Sequence, residues 1–139
     1  MIRVLKEEHP NDWFVITRTG GMHDQRNGTT LWPGDLNNDF SVGGTLNDEG
    51  EARVGGLPAA ISGGLSAALS GYPLYGSDIG GYRGGTPNTE VLLRWAQFGA
   101  VSTVMQLGGG GTGDATHHPW DERYETCLLY TSPSPRDRG

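Results

Sequence analysis

Thr29-Thr30-Leu31-Trp32-Pro33-Gly34-Asp35 decides how this chain is read. Its first residues are β-prone, and the run ends in an aromatic, a turn pair and a carboxylate. In a β/α barrel the catalytic groups sit at the carboxyl ends of the strands, so a strand that stops this way delivers an acid to the mouth of a site. Asp35 is therefore the candidate catalytic residue. Pro-Gly followed by Asp is also ordinary turn chemistry, so the weight comes from what surrounds it.

Upstream, residues 1–8 read as the last turns of a helix, stopped by Pro10. Trp13 to Arg18 is aromatic and β-branched without alternation, the pattern of a parallel strand covered on both faces, and it places Arg18 at a strand end. Downstream, the Gly-, Asp- and Glu-rich stretch from Ser41 to Gly56 reads as an irregular excursion, either a rim of a cleft or a surface loop. Leu57, Ala60, Ile61, Gly64, Leu65, Ala68 and Leu69 then recur at helical steps. Pro58 lies early, where its missing N–H costs nothing, and Gly71 is the stop. Pro73 to Gly76 is a short strand ending in Ser77-Asp78. Thr86 and Pro87 are expected to cap and open a second helix, with Val91, Leu92, Trp95, Ala96 and Gly99 on one side. Val101 to Leu107 is a fourth strand, with Gln106 near its end.

Strands alternating with helices imply parallel crossovers, hence α/β architecture in a doubly wound sheet or a barrel. A whole barrel needs about 250 residues, so four strands are half of one. Such a piece is not expected to bury a self-sufficient core.

The chain has 139 residues and a formal net charge of −6, with no basic cluster, so the electrostatic footprint of a nucleic-acid or anionic-membrane binder is missing. A neutral or weakly charged ligand is expected. No apolar run approaches the roughly 20 residues that span a bilayer, and the amino terminus has no signal-peptide core. Gly is abundant at 24 residues and scattered, which suggests tight loops around a site. The stretch Cys127 to Asp137 looks like a translated sequencing-library adapter, so residues 1–126 are expected to be the natural part and 127–139 a foreign tail. The lone Cys127 then says nothing about redox compartment.

Five blocks in order resemble glycoside hydrolase family 31, the α-glucosidase and α-xylosidase family of retaining enzymes. They are Val15-Ile16-Thr17-Arg18; Gln25-Arg26; Trp32-Pro33-Gly34-Asp35 with Phe40 beyond it; Ser77 to Tyr82; and Arg94 to Ala100. The resemblance implies the carboxyl-terminal half of a (β/α)8 TIM barrel, about strands 5 to 8. It also implies an α-glycoside as substrate and no cofactor. Asp35 corresponds to the family's general acid/base, Arg18 and Asp78 to groups gripping the sugar, and Trp32 to an aromatic on the subsite wall. A retaining mechanism needs two carboxyl groups about 5–5.5 Å apart, one of which begins the cycle protonated. The nucleophile is expected on the strand before Trp13, outside this chain. The family usually carries Arg and then His near the end of the last strand; Gln106 and Gly108 stand there, which bears on the identity of the sugar.

Other patterns in the chain fail on their residues. Asp35 to Asp39 begins like a calcium loop, but Phe40 replaces the required Gly and Leu46 the closing Glu. The Gly108 to Gly111 tract lacks the Lys-Ser or Lys-Thr of a phosphate loop. His117-His118 has no third ligand at a useful spacing, so no metal site is expected. Taken alone, Arg18 reads also as an ion-pair partner and Asp78 as a turn or helix cap. A barrel of unrelated chemistry, or a carbohydrate-binding barrel that kept the subsite without the catalysis, is the remaining alternative; the oligomeric state is open.

Overall fold

The structure is a computed structural model that describes residues 2–44, 46 and 49–107. In chain order the elements are α1 (Ile2–Glu8), β1 (Ile16–Thr17), β2 (Thr30–Leu31), α2 (Leu57–Leu69), β3 (Gly76–Asp78), α3 (Thr89–Gly99) and β4 (Val104–Gln106). A 3-10 turn at Asp24–Asn27 lies between β1 and β2. The glycine tract from Gly108, His117-His118 and the stretch from Cys127 lie outside the described residues.

Among the described residues every strand-to-strand pairing is parallel, and one isolated antiparallel bridge joins Leu46 to Ala52. Ile16 and Thr17 of β1 lie opposite Thr30 and Leu31 of β2, and Gly76 to Asp78 of β3 lie opposite Val104 to Gln106 of β4. A parallel bridge between Leu31 and Tyr75 joins the two pairs, and the Leu31 N–H donates to the Leu74 carbonyl at 2.9 Å. The spatial order is thus β1-β2-β3-β4, with α2 and α3 as crossovers. Successive parallel neighbours put all four carboxyl ends on one edge, which is what brings Arg18, Asp35, Asp78 and Gln106 to the same side.

The main core lies between the helices and β3. Ile79, Val91, Leu92 and Trp95 are fully buried together with Ala60, and Leu57 and Ala96 complete the cluster. Helix α3 earns this placement from its spacing, since Val91, Leu92, Trp95, Ala96 and Gly99 fall on one face. Trp95 also donates its indole N–H to the Ser77 hydroxyl at 2.9 Å, tying the helix to the strand that carries Asp78.

Three local expectations are corrected. The strand at Trp13 to Arg18 shrinks to Ile16–Thr17, and Phe14 and Ile16 are exposed, because among the described residues β1 has a strand partner on one side only. Helix α3 is capped by Asn88, whose side chain accepts from the Val91 N–H at 2.9 Å, so Thr86-Pro87 precedes the helix instead of opening it. On α2 the inward face is made of Leu57, Ala60, Gly64 and Ala67, while Ile61, Leu65 and Leu69 face outward. The physical reason is close approach: a Cβ on Gly64 would stand 3.0 Å from the Tyr75 ring, so the helix seats its small residues on that aromatic.

Candidate functional site

Asp35 leaves β2 through Trp32-Pro33-Gly34, and Gly34 takes a left-handed conformation at φ 88° that favours glycine. The turn lays the carboxylate beside Arg18, the first residue beyond β1. Arg18 Nη2 lies 2.9 Å from Asp35 Oδ1, and Arg83 Nη2 lies 3.8 Å from Oδ2. Oδ1 is buried and makes no aligned hydrogen bond, so Arg18 acts on it chiefly as a charge. The two guanidinium groups are more than half exposed, whereas the Asp35 side chain is 24% exposed.

A second group forms around Asp78, at the end of β3. This carboxylate is 6% exposed. Its Oδ2 accepts from the Trp32 indole N–H at 3.4 Å, and its Oδ1 accepts from the Gln106 side-chain amide at 3.5 Å. Both contacts are long, so they orient the carboxylate more than they bind it tightly. The expected sites therefore gather as two sets: Arg18 with Asp35, and Trp32, Asp78 and Gln106. The tetrapeptide Trp32 to Asp35 is the covalent link between them.

Trp32 departs from the expected open aromatic wall. It is 5% exposed, and it packs so closely on β3 that a Cβ on Gly76 would stand 2.7 Å from its ring. What it offers the site is the indole N–H on Asp78, not a broad face. Gln106, by contrast, is exposed.

Arg83 is a member of the site that the sequence motifs did not single out. Its backbone is fixed where it is: the Arg83 N–H donates to the Leu36 carbonyl at 3.0 Å, and its own carbonyl accepts from the Asn38 N–H at 2.9 Å. Gly81, at φ 84°, allows that approach, since a Cβ there would meet the Asn37 backbone at 2.7 Å. The available signal was adjacency, because Arg83 directly follows the block Ser77 to Tyr82.

The described residues of the Ser41 to Gly56 stretch also pack beside Asp35. Its two legs meet where the Gly56 N–H donates to the Ser41 carbonyl at 2.8 Å and the Gly44 N–H to the Arg53 carbonyl at 3.0 Å. It docks on the segment that follows Asp35: the Asn37 side chain donates to the Val54 carbonyl at 2.7 Å, and the Asn37 N–H to the Gly55 carbonyl at 3.0 Å. A cavity of about 570 Å³ opens there, lined by Asn37, Asp39, Ser41, Arg53 and Arg83 among others.

Comparison with known proteins follows the same line. The model of the glycosyl hydrolases family 31 TIM-barrel domain matches residues 2–129. The chain is 38% identical over 100 residues to a sulfoquinovosidase of Escherichia coli, covering 70% of this chain and 13% of that protein. It is 39% identical over 62 residues to an α-xylosidase of Emericella nidulans, covering 45% of this chain and 8% of the relative. It is 32% identical over 108 residues to neutral α-glucosidase C of Macaca fascicularis, covering 77% and 12%. The chain thus spans a small part of each relative's length. A four-stranded parallel arc with its polar residues at one edge, and a family match over nearly the whole sequence, lead to one conclusion: the chain belongs to glycosyl hydrolases family 31, within the TIM-barrel domain.

Proposed function

We propose that the protein carrying this chain is a retaining α-glycosidase, and that these strands are the carboxyl-terminal half of its (β/α)8 barrel. Asp35 is its general acid/base. Arg18, Asp78 and Gln106 hold hydroxyl groups of the sugar to be released, and Trp32 keeps Asp78 in orientation. The nucleophile comes from the strand that precedes β1, outside this chain.

The observation that carries the reading is the separation of two carboxylates into different surroundings at the ends of neighbouring parallel strands. Asp35 lies between two guanidinium groups. Asp78 is buried under an indole and an amide, both of which donate to it. A partly accessible carboxyl at a strand end suits proton transfer to a leaving oxygen and then from a water. A buried, oriented carboxylate suits hydrogen bonding to sugar hydroxyls. The acid must begin the cycle protonated, so the reading requires a bound sugar to draw Arg18 from Asp35 onto its own hydroxyls.

The full-length protein is to be screened on aryl α-glycosides of glucose, xylose, galactose and sulfonated glucose, beside its Asp35→Asn variant. Hydrolysis of one of them, reduced about 10²–10⁴-fold by the substitution, is expected. An intact protein that binds these sugars and turns none over would favour the non-catalytic barrel. On this reading the 139-residue chain by itself hydrolyses none, and detectable turnover by it would contradict the assignment.

A further inference from the structure

Among the described residues a cation approaches each oxygen of Asp35. Arg18 Nη2 stands 2.9 Å from Oδ1, and Arg83 Nη2 stands 3.8 Å from Oδ2. On the glycosidase reading a bound sugar draws Arg18 onto the ring hydroxyls, and Arg83 stays. A carboxyl group that loses one of its cations remains attracted by the other, so the residue left behind decides which oxygen the acid presents.

Arg83 is built to stay behind. Its segment is laced to Leu36, Asn37 and Asn38, which directly follow Asp35. The Tyr82 and Arg83 N–H groups both donate to the Leu36 carbonyl, at 2.8 and 3.0 Å, and the Arg83 carbonyl accepts from the Asn38 N–H at 2.9 Å. A parallel bridge pairs Asn37 with Arg83, and the Asn38 side chain donates to the Gly85 carbonyl at 2.7 Å. Gly81 and Gly84, on either side of Arg83, are left-handed at φ 84° and 97°, and a Cβ on either would collide with Asn37 or Asn38. The backbone of Arg83 is thus fixed to the segment that carries the acid, whereas Arg18 enters from the end of a different strand, β1.

A guanidinium has donors only, so an oxygen that faces one accepts and does not hold the acid's proton. Once Arg18 has moved, this excludes Oδ2. It leaves Oδ1, which is buried, makes no aligned hydrogen bond and faces the residue that grips the sugar. In the glycosylating step the Oδ1–H bond breaks and its proton passes to the glycosidic oxygen. The bond from that oxygen to the anomeric carbon breaks, its electron pair staying on the oxygen, while the nucleophile of the preceding strand bonds to the carbon.

We propose that Arg83 is a positioning residue for the acid: it holds Oδ2 while the substrate takes Arg18 away, and so keeps the proton on Oδ1, toward the departing oxygen. This rests on the glycosidase reading and adds to it a residue that acts only through Asp35.

The test is a double-mutant cycle in the full-length protein, with Arg83→Gln, Asp35→Asn and the two together, on an α-glycoside of an acidic nitrophenol and on one of a simple alcohol. On the alcohol glycoside Arg83→Gln should lower kcat/KM about 10–100-fold through kcat, as a misplaced catalytic group does, with KM within about two-fold of the parent. The nitrophenyl glycoside, whose departing group needs little protonation, should be cleaved within about three-fold of the parent rate. The double variant should match Asp35→Asn alone within about two-fold, since Arg83 then has no acid to place. If Arg83→Gln does not fold, Arg83→Met carries the same cycle. Losses that add in the double variant, an equal loss on both glycosides, or no loss on either would overturn the proposal, while a leaving-group-dependent loss in Asp35→Asn still upheld Asp35 as the acid. If Asp35→Asn shows no such dependence, the acid reading itself fails and the role of Arg83 falls with it.

Discussion

Arg18 Nη2 stands 2.9 Å from Asp35 Oδ1, so the groups that end β1 and β2 meet directly across the edge of the sheet. The contact depends on parallel register: Thr17 lies opposite Leu31, and each chain then runs on toward the same edge. At 60% exposure on the arginine side, this pair is worth little as a stabilising contact, since screened surface pairs give about 0–1 kcal/mol. Its value is positional.

Arg18→Ala is therefore expected to separate function from stability. Thermal unfolding of the full-length protein should move by no more than a degree or two. The kcat/KM for its α-glycoside should fall about 10–100-fold through loss of a charged hydrogen-bond donor, an energy of about 1.5–3 kcal/mol. A large fall in melting temperature with unchanged kinetics would make Arg18 a structural ion-pair partner.

Asp78 tests the second set. Its carboxylate is buried, and Trp32→Phe removes the indole donor without emptying the space. Because the bond is long, Trp32→Phe should cost about 1.5 kcal/mol of stability, near the lower end for a bond to a charged acceptor. Asp78→Asn should raise KM much more than Trp32→Phe does, since it changes the group proposed to hold the sugar hydroxyls. Steady-state kinetics of the two variants and of the double variant would measure their coupling. Equal effects on kinetics would mean that Trp32 itself binds the ligand.

Much of this site was legible because its parts are local. A strand followed by a turn and a carboxylate occupies seven successive residues at Thr29 to Asp35, and local sequence is enough to suggest it. The helices at 57–69 and 89–99 announced themselves by apolar spacing. What stayed hidden depends on which distant segments meet. Arg83 joins Asp35 through backbone pairing with Leu36 and Asn38. Trp32 is buried because Gly76, on another strand, leaves it room. The cap at Asn88 was masked by the nearby Thr86-Pro87, a pair with the right chemistry that lies before the helix begins.

Trp95 should dominate stability. It is fully buried between α3 and β3 and donates to Ser77. Trp95→Ala should cost about 3–5 kcal/mol, measured by denaturant unfolding, through lost burial and an unfilled cavity. A cost under about 1 kcal/mol would mean that the core around Ile79 and Leu92 does not depend on it.

Tyr75 gives a pH-dependent prediction. Burial pushes its phenol up to about 12, and its hydroxyl lacks a hydrogen-bond partner among the described residues. The sign follows from which state ionises first. Below pH 10 both states are neutral and the folded protein has its full stability. Between about 10 and 12 the unfolded chain loses the proton and the folded one keeps it, so stability falls as pH rises. Tyr75→Phe should abolish that part of the alkaline loss and change stability at pH 7 by less than about 1 kcal/mol, because no bond is broken. Identical alkaline unfolding in both proteins would contradict the burial of this phenol.

The decisive measurement is the leaving-group dependence of Asp35→Asn in the full-length protein, followed across α-glycosides whose departing groups range from acidic nitrophenols to simple alcohols. If Asp35 donates the proton, the variant should release the most acidic phenols at close to the parent rate in the first, glycosylating step and lose about 10²–10⁴-fold on alcohols, which need protonation to depart. A loss of the same size for every departing group, or none for any, would contradict Asp35 as the acid.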